Sequence, residues 1–227
     1  MTDPRIQQIQ ELVLAMERGD IDMPEDIHAD EELKQLGTSL LRLSKSIDQK
    51  SHEHYNLLNF TQKLNEGAYV TDVLQYVFDS FRSVIPYNRI GFALLEKEGV
   101  VLRSHWMQGD SAENFLKNGF AARMEGSSLV DVLETGKPRI INDLEQYLAD
   151  HPNSISTSLI VQEGVRSSLT CPLVATGKPL GFLFFSSYEK NTYEDIHQEI
   201  FLRLAHQLSV VLERNHLYEE LHKLNKA

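Results

Sequence analysis

Residues 164–185 read GVRSSLTCPLVATGKPLGFLFF and hold the only cysteine of the 227-residue chain, Cys171, inside an apolar stretch. The Gly and Pro of ATGKP predict a turn that folds the stretch back on itself as a two-stranded hairpin. Side chains alternate along a strand, so Leu169, Cys171 and Leu173 share one face and Ser168 and Thr170 the other. The returning strand divides the same way, Leu183 and Phe185 against Phe182, Phe184 and Ser186. One face is wholly apolar; the other mixes aromatic rings with hydroxyls.

Upstream of this hairpin, EGSSLVDVLETGKPRIIND (125–143) predicts a helix capped by Ser127 or Ser128 and stopped by Gly136 in the left-handed conformation. Pro138 follows, and then a short strand. DLEQYLADHPNSISTSLIVQE (143–163) predicts two short helices broken at Pro152. Further upstream, Thr71 is placed to cap a helix with apolar positions Val73, Leu74, Val77, Phe78, Phe81 and Val84, ending before Pro86. NRIGFALLE and GVVLRSHWM, joined through KEG, predict a first hairpin. A closing helix without Pro or Gly carries Ile196, Ile200, Phe201, Leu204, Leu208 and Val211, then Leu217, Leu221 and Leu224. The order of these elements predicts an antiparallel α+β sandwich.

The N-terminal third has a different character. Ile6, Ile9, Val13 and Met16 form an amphipathic stripe that ends at Gly19, and Pro24 interrupts the next ten residues. Leu33, Leu36, Leu40, Leu43 and Ile47 then follow a 3-4-3-4 rhythm, the spacing of a coiled-coil seam. Helix, short connector and helix with heptad seams resemble a HAMP signalling module. ERGDID (17–22) would end its first helix, and ADEELKQLGTSLLRLSKSI (29–47) would form its second. Gly19-Asp20 and Asp30-Glu31 match that pattern, although such modules usually follow a membrane span and this sequence has no apolar run of that length.

SSLVDVLETGKPRIINDLE (127–145) followed by GVRSSLTCPLVATGKPLGFLFF resembles a GAF domain over roughly residues 52–215. The pieces that match are the helix–Gly–Lys–Pro–strand–Asp segment, the Arg-Ser strand leading to Pro-Leu, and the Gly-Phe-Leu strand. The resemblance implies a sheet with one face packed on helices from both chain ends and the other open to a ligand pocket under residues 111–160. By strand parity that pocket face receives Ser168, Thr170, Phe182, Phe184 and Ser186. Ile141, Asp143 and Leu144 close it in the family pattern, and Gly91 and Ala93 leave room for a ligand. Cys171 falls on the opposite face, where burial would suppress its reactivity.

The charge excludes some partners. With 22 Lys and Arg against 33 Asp and Glu, the net charge of −11 disfavours non-specific binding to nucleic acid or anionic lipid. A single cysteine excludes an intrachain disulfide framework and points to the cytoplasm, and neither a signal peptide nor a membrane span is legible. The nine histidines show no metal-ligand spacing. His105 lies in a strand, with pocket and surface equally open to it. KSHEHYN (50–56) is similar to the phosphoacceptor stretch of a histidine kinase, but Tyr55 and Asn56 stand where Leu-Arg-Thr-Pro would continue, so His52 and His54 are expected on a solvated helix face. No phosphate loop, nucleophile elbow or other catalytic constellation is present. The full cyclic-nucleotide pattern of the family is missing, Cys171 is on a strand rather than beside the pocket as in bilin-binding members, and sulfoxide-reducing members need several cysteines.

The expected function is a sensory module of signal transduction, not an enzyme, binding a small molecule of unknown identity and without an identified cofactor. A HAMP-like leader and signalling helix would span 1–51, a GAF domain 52–215, and an output-linker helix 216–227. The seam-like helices predict a parallel homodimer. LYEELHKLNKA stops in mid-period, which suggests a histidine kinase or diguanylate cyclase output as partner. The alternative is a dimerisation scaffold whose pocket is filled by Phe182 and Phe184 and binds nothing.

Overall fold

The computed structural model describes residues 6, 7, 10, 13 and 14 together with 31–65, 69–111 and 115–224. The expected stop at Gly19 and the connector around Pro24, which carry most of the HAMP resemblance, lie outside these residues. Two compact units divide the chain, residues 1–55 and 56–227.

In the first unit, Ile6, Gln7, Gln10, Val13 and Leu14 are helical, and helix α1 (Glu31–Asn65) begins. Leu36, Leu43 and Ile47 are exposed on α1, and Leu40 of the same stripe is half-buried. His52 and His54 are exposed as well, and His52 Nδ1 lies 3.4 Å from Asp48 one turn back.

The second unit is built on a six-stranded antiparallel sheet in the order β3-β2-β1-β6-β5-β4. Its strands are β1 (Arg89–Glu96), β2 (Val101–Gly109), β3 (Ala121–Arg123), β4 (Arg139–Ile141), β5 (Ser167–Ala175) and β6 (Lys178–Ser187). The helices are α2 (Val70–Ser80), α3 (Leu129–Thr135), α4 (Leu144–Asp150), α5 (Ile155–Gln162) and α6 (Asp195–Leu224). The α+β sandwich expected from the order of elements is the fold found. Both hairpins close as their turn residues dictate. Thr176 and Gly177 have φ of 47° and 76°, the mirror-image geometry that matches strand twist, and Ala175 faces Lys178 across them. Gly136 ends α3 at φ 64°.

Three local expectations need correction. Helix α2 starts after Tyr69 with no side-chain cap, so Thr71 lies inside its first turn. It also stops at Ser80; Phe81, at φ −101° and ψ 2°, leaves helical geometry, and Phe81 and Val84 stay buried but belong to the following turn. Strand β3 is additional: three residues, AAR, carry no periodicity to read. Pro172 sits inside β5, beyond the three residues that pair with β4. One edge of β5 is open there, the setting in which a missing N–H is tolerated.

One face of the sheet carries the main core. Leu169, Cys171 and Leu173 of β5 and Leu183 and Phe185 of β6 are sealed by Phe60 and Leu64 of α1, Val73, Leu74 and Val77 of α2, and Phe201, Leu204 and Leu208 of α6. Phe185 and Phe201 stack with ring centres 4.3 Å apart. Tyr87 Oη donates to the Val77 carbonyl at 2.6 Å, so this aromatic is buried without losing its hydrogen bond. Ile196, counted in the same helical stripe, is instead exposed.

Cys171 is fully buried in this core, and burial pushes its thiol up to about 12. Cys171→Ala is expected to cost about 1 kcal/mol through lost packing, read as a shift in the urea midpoint. Rapid labelling of the native thiol by a polar alkylating reagent would contradict its placement.

Candidate functional site

The opposite face of the sheet floors a cavity of about 150 Å³. Strand register arranges its floor in two cross-strand rows. Gly91, Phe184, Thr170 and Arg139 form the first, on β1, β6, β5 and β4; Arg89, Ser186, Ser168 and Ile141 form the second. The roof is the covering segment: Leu116 and Phe120, β3, α3, Leu144 and Tyr147 of α4, and Thr157 and Ile160 of α5.

Of the residues expected here, Gly91, Ala93, Ile141, Leu144, Ser168, Thr170, Phe184 and Ser186 line the cavity. Phe182 and Asp143 do not. Phe182 is on the same side of the sheet, 5.9 Å ring to ring from Phe184, but it is buried in a second small core with Met124 and Val132. Asp143 caps α4: its Oδ1 accepts from Gln146 N at 3.0 Å and its Oδ2 from Lys190 Nζ at 2.9 Å. The Gln146 amide first and Lys190 second hold this carboxyl below the usual carboxylate range. His105 is exposed beside Glu96 and takes no part.

Gly91 leaves space without strain. A Cβ placed on it would meet Phe184 at 3.6 Å, ordinary van der Waals contact, so it is the rest of a larger side chain that would invade the cavity.

The polar groups the sequence reading missed are arginines and their partners. Arg89 (β1) and Glu163 (the residue ending α5) form a buried pair with Nε and Oε2 3.1 Å apart, their side chains 5% and 1% exposed. The two atoms are in charge contact but not aligned as a hydrogen bond. Glu163 Oε1 also accepts from the Leu116 amide at 2.6 Å, and Arg89 Nη2 donates to Met107 Sδ. The pair thus ties the sheet, α5 and the 116–120 loop together. Arg139 Nη1 donates to Ser128 Oγ at 2.6 Å and to the Ser128 carbonyl at 3.2 Å, and its guanidinium lies 5.9 Å from the Tyr147 ring centre. Ser128 Oγ and Tyr147 Oη share a hydrogen bond of 2.6 Å. Burial lowers the pKa of both Arg89 and Arg139, though an arginine remains charged. Strand parity could have found both: Arg89 is two residues before Gly91, and Arg139 two before Ile141.

A family model described as GAF domain matches residues 68–213. The chain belongs to the GAF domain family. No curated protein matches it. Among solved structures, this GAF domain is similar to that of a two-component sensor histidine kinase from Bacillus halodurans, at 19% identity and TM-score 0.55, covering 65% of this chain and 96% of that one. It is similar also to the GAF domain from a phosphoenolpyruvate-protein phosphotransferase of Coxiella burnetii, at 15% identity and TM-score 0.59, covering 75% and 98%. A third is the free methionine-R-sulfoxide reductase from Neisseria meningitidis in complex with its substrate, at 17% identity and TM-score 0.55, covering 71% and 88%. At these identities the likeness is one of fold. In this GAF domain the one thiol lies on the sheet face away from the cavity. Among the described residues no group of three His, Cys, Asp or Glu could hold a metal, and no helix is long and apolar enough to cross a membrane.

Proposed function

We propose that the chain is a cytoplasmic sensory module in which a small molecule enters the GAF cavity and alters the packing of signalling helices. The observation that carries this reading is the cavity's place in the sheet. Ser168 and Thr170 floor it, while Leu169 and Cys171, the alternate residues of the same strand, pack in the core shared with α1 and α6. A guest that displaced the covering segment or strand β5 would act one strand thickness from the helices that enter and leave the domain. The likeness to a sensor histidine kinase GAF domain supports the same role.

In this proposal residues 1–51 form a HAMP-like leader, 52–215 the GAF sensor and 216–227 a linker to a kinase or cyclase output. The module is a non-enzymatic parallel homodimer joined along Leu33, Leu36, Leu40, Leu43 and Ile47. The exposure of Leu36, Leu43 and Ile47 supports a helical partner for that stripe. Leu36→Lys with Leu40→Lys places two like charges per chain in the seam and is expected to give a monomer whose GAF domain keeps its thermal transition. Sedimentation of the unaltered protein as a monomer at tens of micromolar, roughly where a modest coiled coil should associate, would remove the dimer from the proposal.

A second reading, a scaffold that binds nothing, draws on the burial of Phe182 in the small core. Native mass spectrometry of the protein from its own host separates the two. The sensor reading expects a retained small molecule that is lost in Gly91→Leu and Ala93→Leu while circular dichroism stays unchanged. Retention by both variants overturns the site; no guest in any preparation favours the scaffold.

A further inference from the structure

We propose that the cavity takes a small organic carboxylate, its charge met by Arg139 and its apolar body held against Phe184 and Ile141. The inference rests on the sensory reading above, in that the cavity must bind a small molecule at all. Its first support is a reversal of charge. The chain has 33 acidic residues against 22 basic ones, yet the described residues that line the cavity include three arginines, Arg89, Arg123 and Arg139, and no Asp or Glu. A wall of that sign concentrates anions.

The three arginines are not equivalent. Glu163 already neutralises Arg89 in a buried pair. Arg123 is exposed at the rim, where it can steer an incoming anion but is screened by water. Arg139 is half-buried, and no carboxylate of the described residues lies within ion-pair distance of it; Asp131 acts on it only from further away. Ser128 engages Nη1, while the buried Nε–H has no acceptor. A buried donor without an acceptor is costly, and a carboxylate would relieve that cost through a charge-assisted bond.

The neighbouring hydroxyls have capacity to join it. Thr170 faces Arg139 directly across the β4–β5 ladder, with Ser168 and Ser186 in the adjacent row, and none of these three hydroxyls bonds to another described side chain or carbonyl. Size narrows the class further. A cavity of about 150 Å³ matches an engineered one that accepts benzene, so a short or monocyclic acid fits, and a nucleotide or tetrapyrrole does not without rearrangement.

The test titrates the full chain with acetate, butyrate and benzoate, their neutral amides, and inorganic phosphate, by calorimetry and by NMR shifts, to about 10 mM, so that dissociation constants near 1 mM are visible. At least one carboxylate should bind ten-fold or more tightly than its amide. Arg139→Gln should weaken that binding about 10- to 100-fold, the range for a hydrogen bond to a charged group. Arg139→Lys, which keeps the charge but not the fork, should retain an intermediate affinity; this variant and circular dichroism guard against misfolding of Arg139→Gln. Amides binding as tightly as acids, phosphate binding in preference to every acid, or unchanged affinity in Arg139→Gln would each overturn the carboxylate assignment while leaving the cavity a binding site. Absence of binding by acids, amides and phosphate alike overturns the assignment and counts against the sensory reading as well.

Discussion

Glu163→Ala is expected to destabilise the GAF domain by about 3–5 kcal/mol, the range for removing one partner of a buried ion pair. The substitution deprives Arg89, whose side chain is 5% exposed in the intact pair, of its Glu163 counter-charge, and also takes away the acceptor of the Leu116 amide. Restoring neutrality should return much of the loss. The double variant Arg89→Met with Glu163→Leu replaces two desolvated charges by apolar groups of similar bulk, an exchange that is often neutral or better. Chemical denaturation of the single and double variants checks both halves. A single variant within about 1 kcal/mol of the parent would mean that water reaches Arg89 and that the covering segment is not held by this pair.

Gly181→Ala should be comparably damaging, for a different reason. Gly181 lies in β6 where it pairs with Leu94 of β1 on one side and Leu173 of β5 on the other. A Cβ there would stand 2.1 Å from the Ala93 carbonyl oxygen and 2.8 Å from the Leu94 Cα. Both obstacles are backbone, so no rotamer change can relieve them and the two central strands must separate. The expected cost is about 3 kcal/mol or more, at or beyond the top of the usual range for overpacking. Gly91→Ala on the neighbouring strand is the internal control, since its Cβ meets only ordinary contacts. If both variants unfold at the same urea concentration, the close approach of β1 and β6 is refuted.

The fold was legible because hydrophobic alternation and turn chemistry agree in the 164–185 hairpin. Two-residue parity sorted Leu169, Cys171 and Leu173 from Ser168 and Thr170, and the core and the cavity hold those residues accordingly. The same parity extends to Arg89 and Arg139, but a charged residue in a strand reads as solvated until something is known to cover it. Phe182 shows the limit of the method. Parity gives it the right face, yet Met124 and Val132 of the covering segment occupy the space in front of it, and their position is set by tertiary packing. Asp143 was drawn toward the cavity by family pattern, while its position just before a helix makes it a cap. The Arg89–Glu163 pair joins a strand to the end of a distant helix, and no local spacing announces such a contact.

The two buried faces of strand β5 bear on how this domain can change through descent. Substitutions can be absorbed one at a time, each on its own side. Loss or gain of a single residue within the strand cannot, because every side chain beyond that point would be turned over. Leu169 and Leu173 would be thrust among the cavity hydroxyls, and Ser168 and Thr170 into the helix-packed core. Length variation is therefore expected in the connections rather than in the strand, for example between β2 and β3, where Leu116 and Phe120 roof the cavity, and between α4 and α5, where Ser154 lines it. Homologues can reshape what the cavity admits by lengthening or shortening these loops while the strand beneath keeps its count.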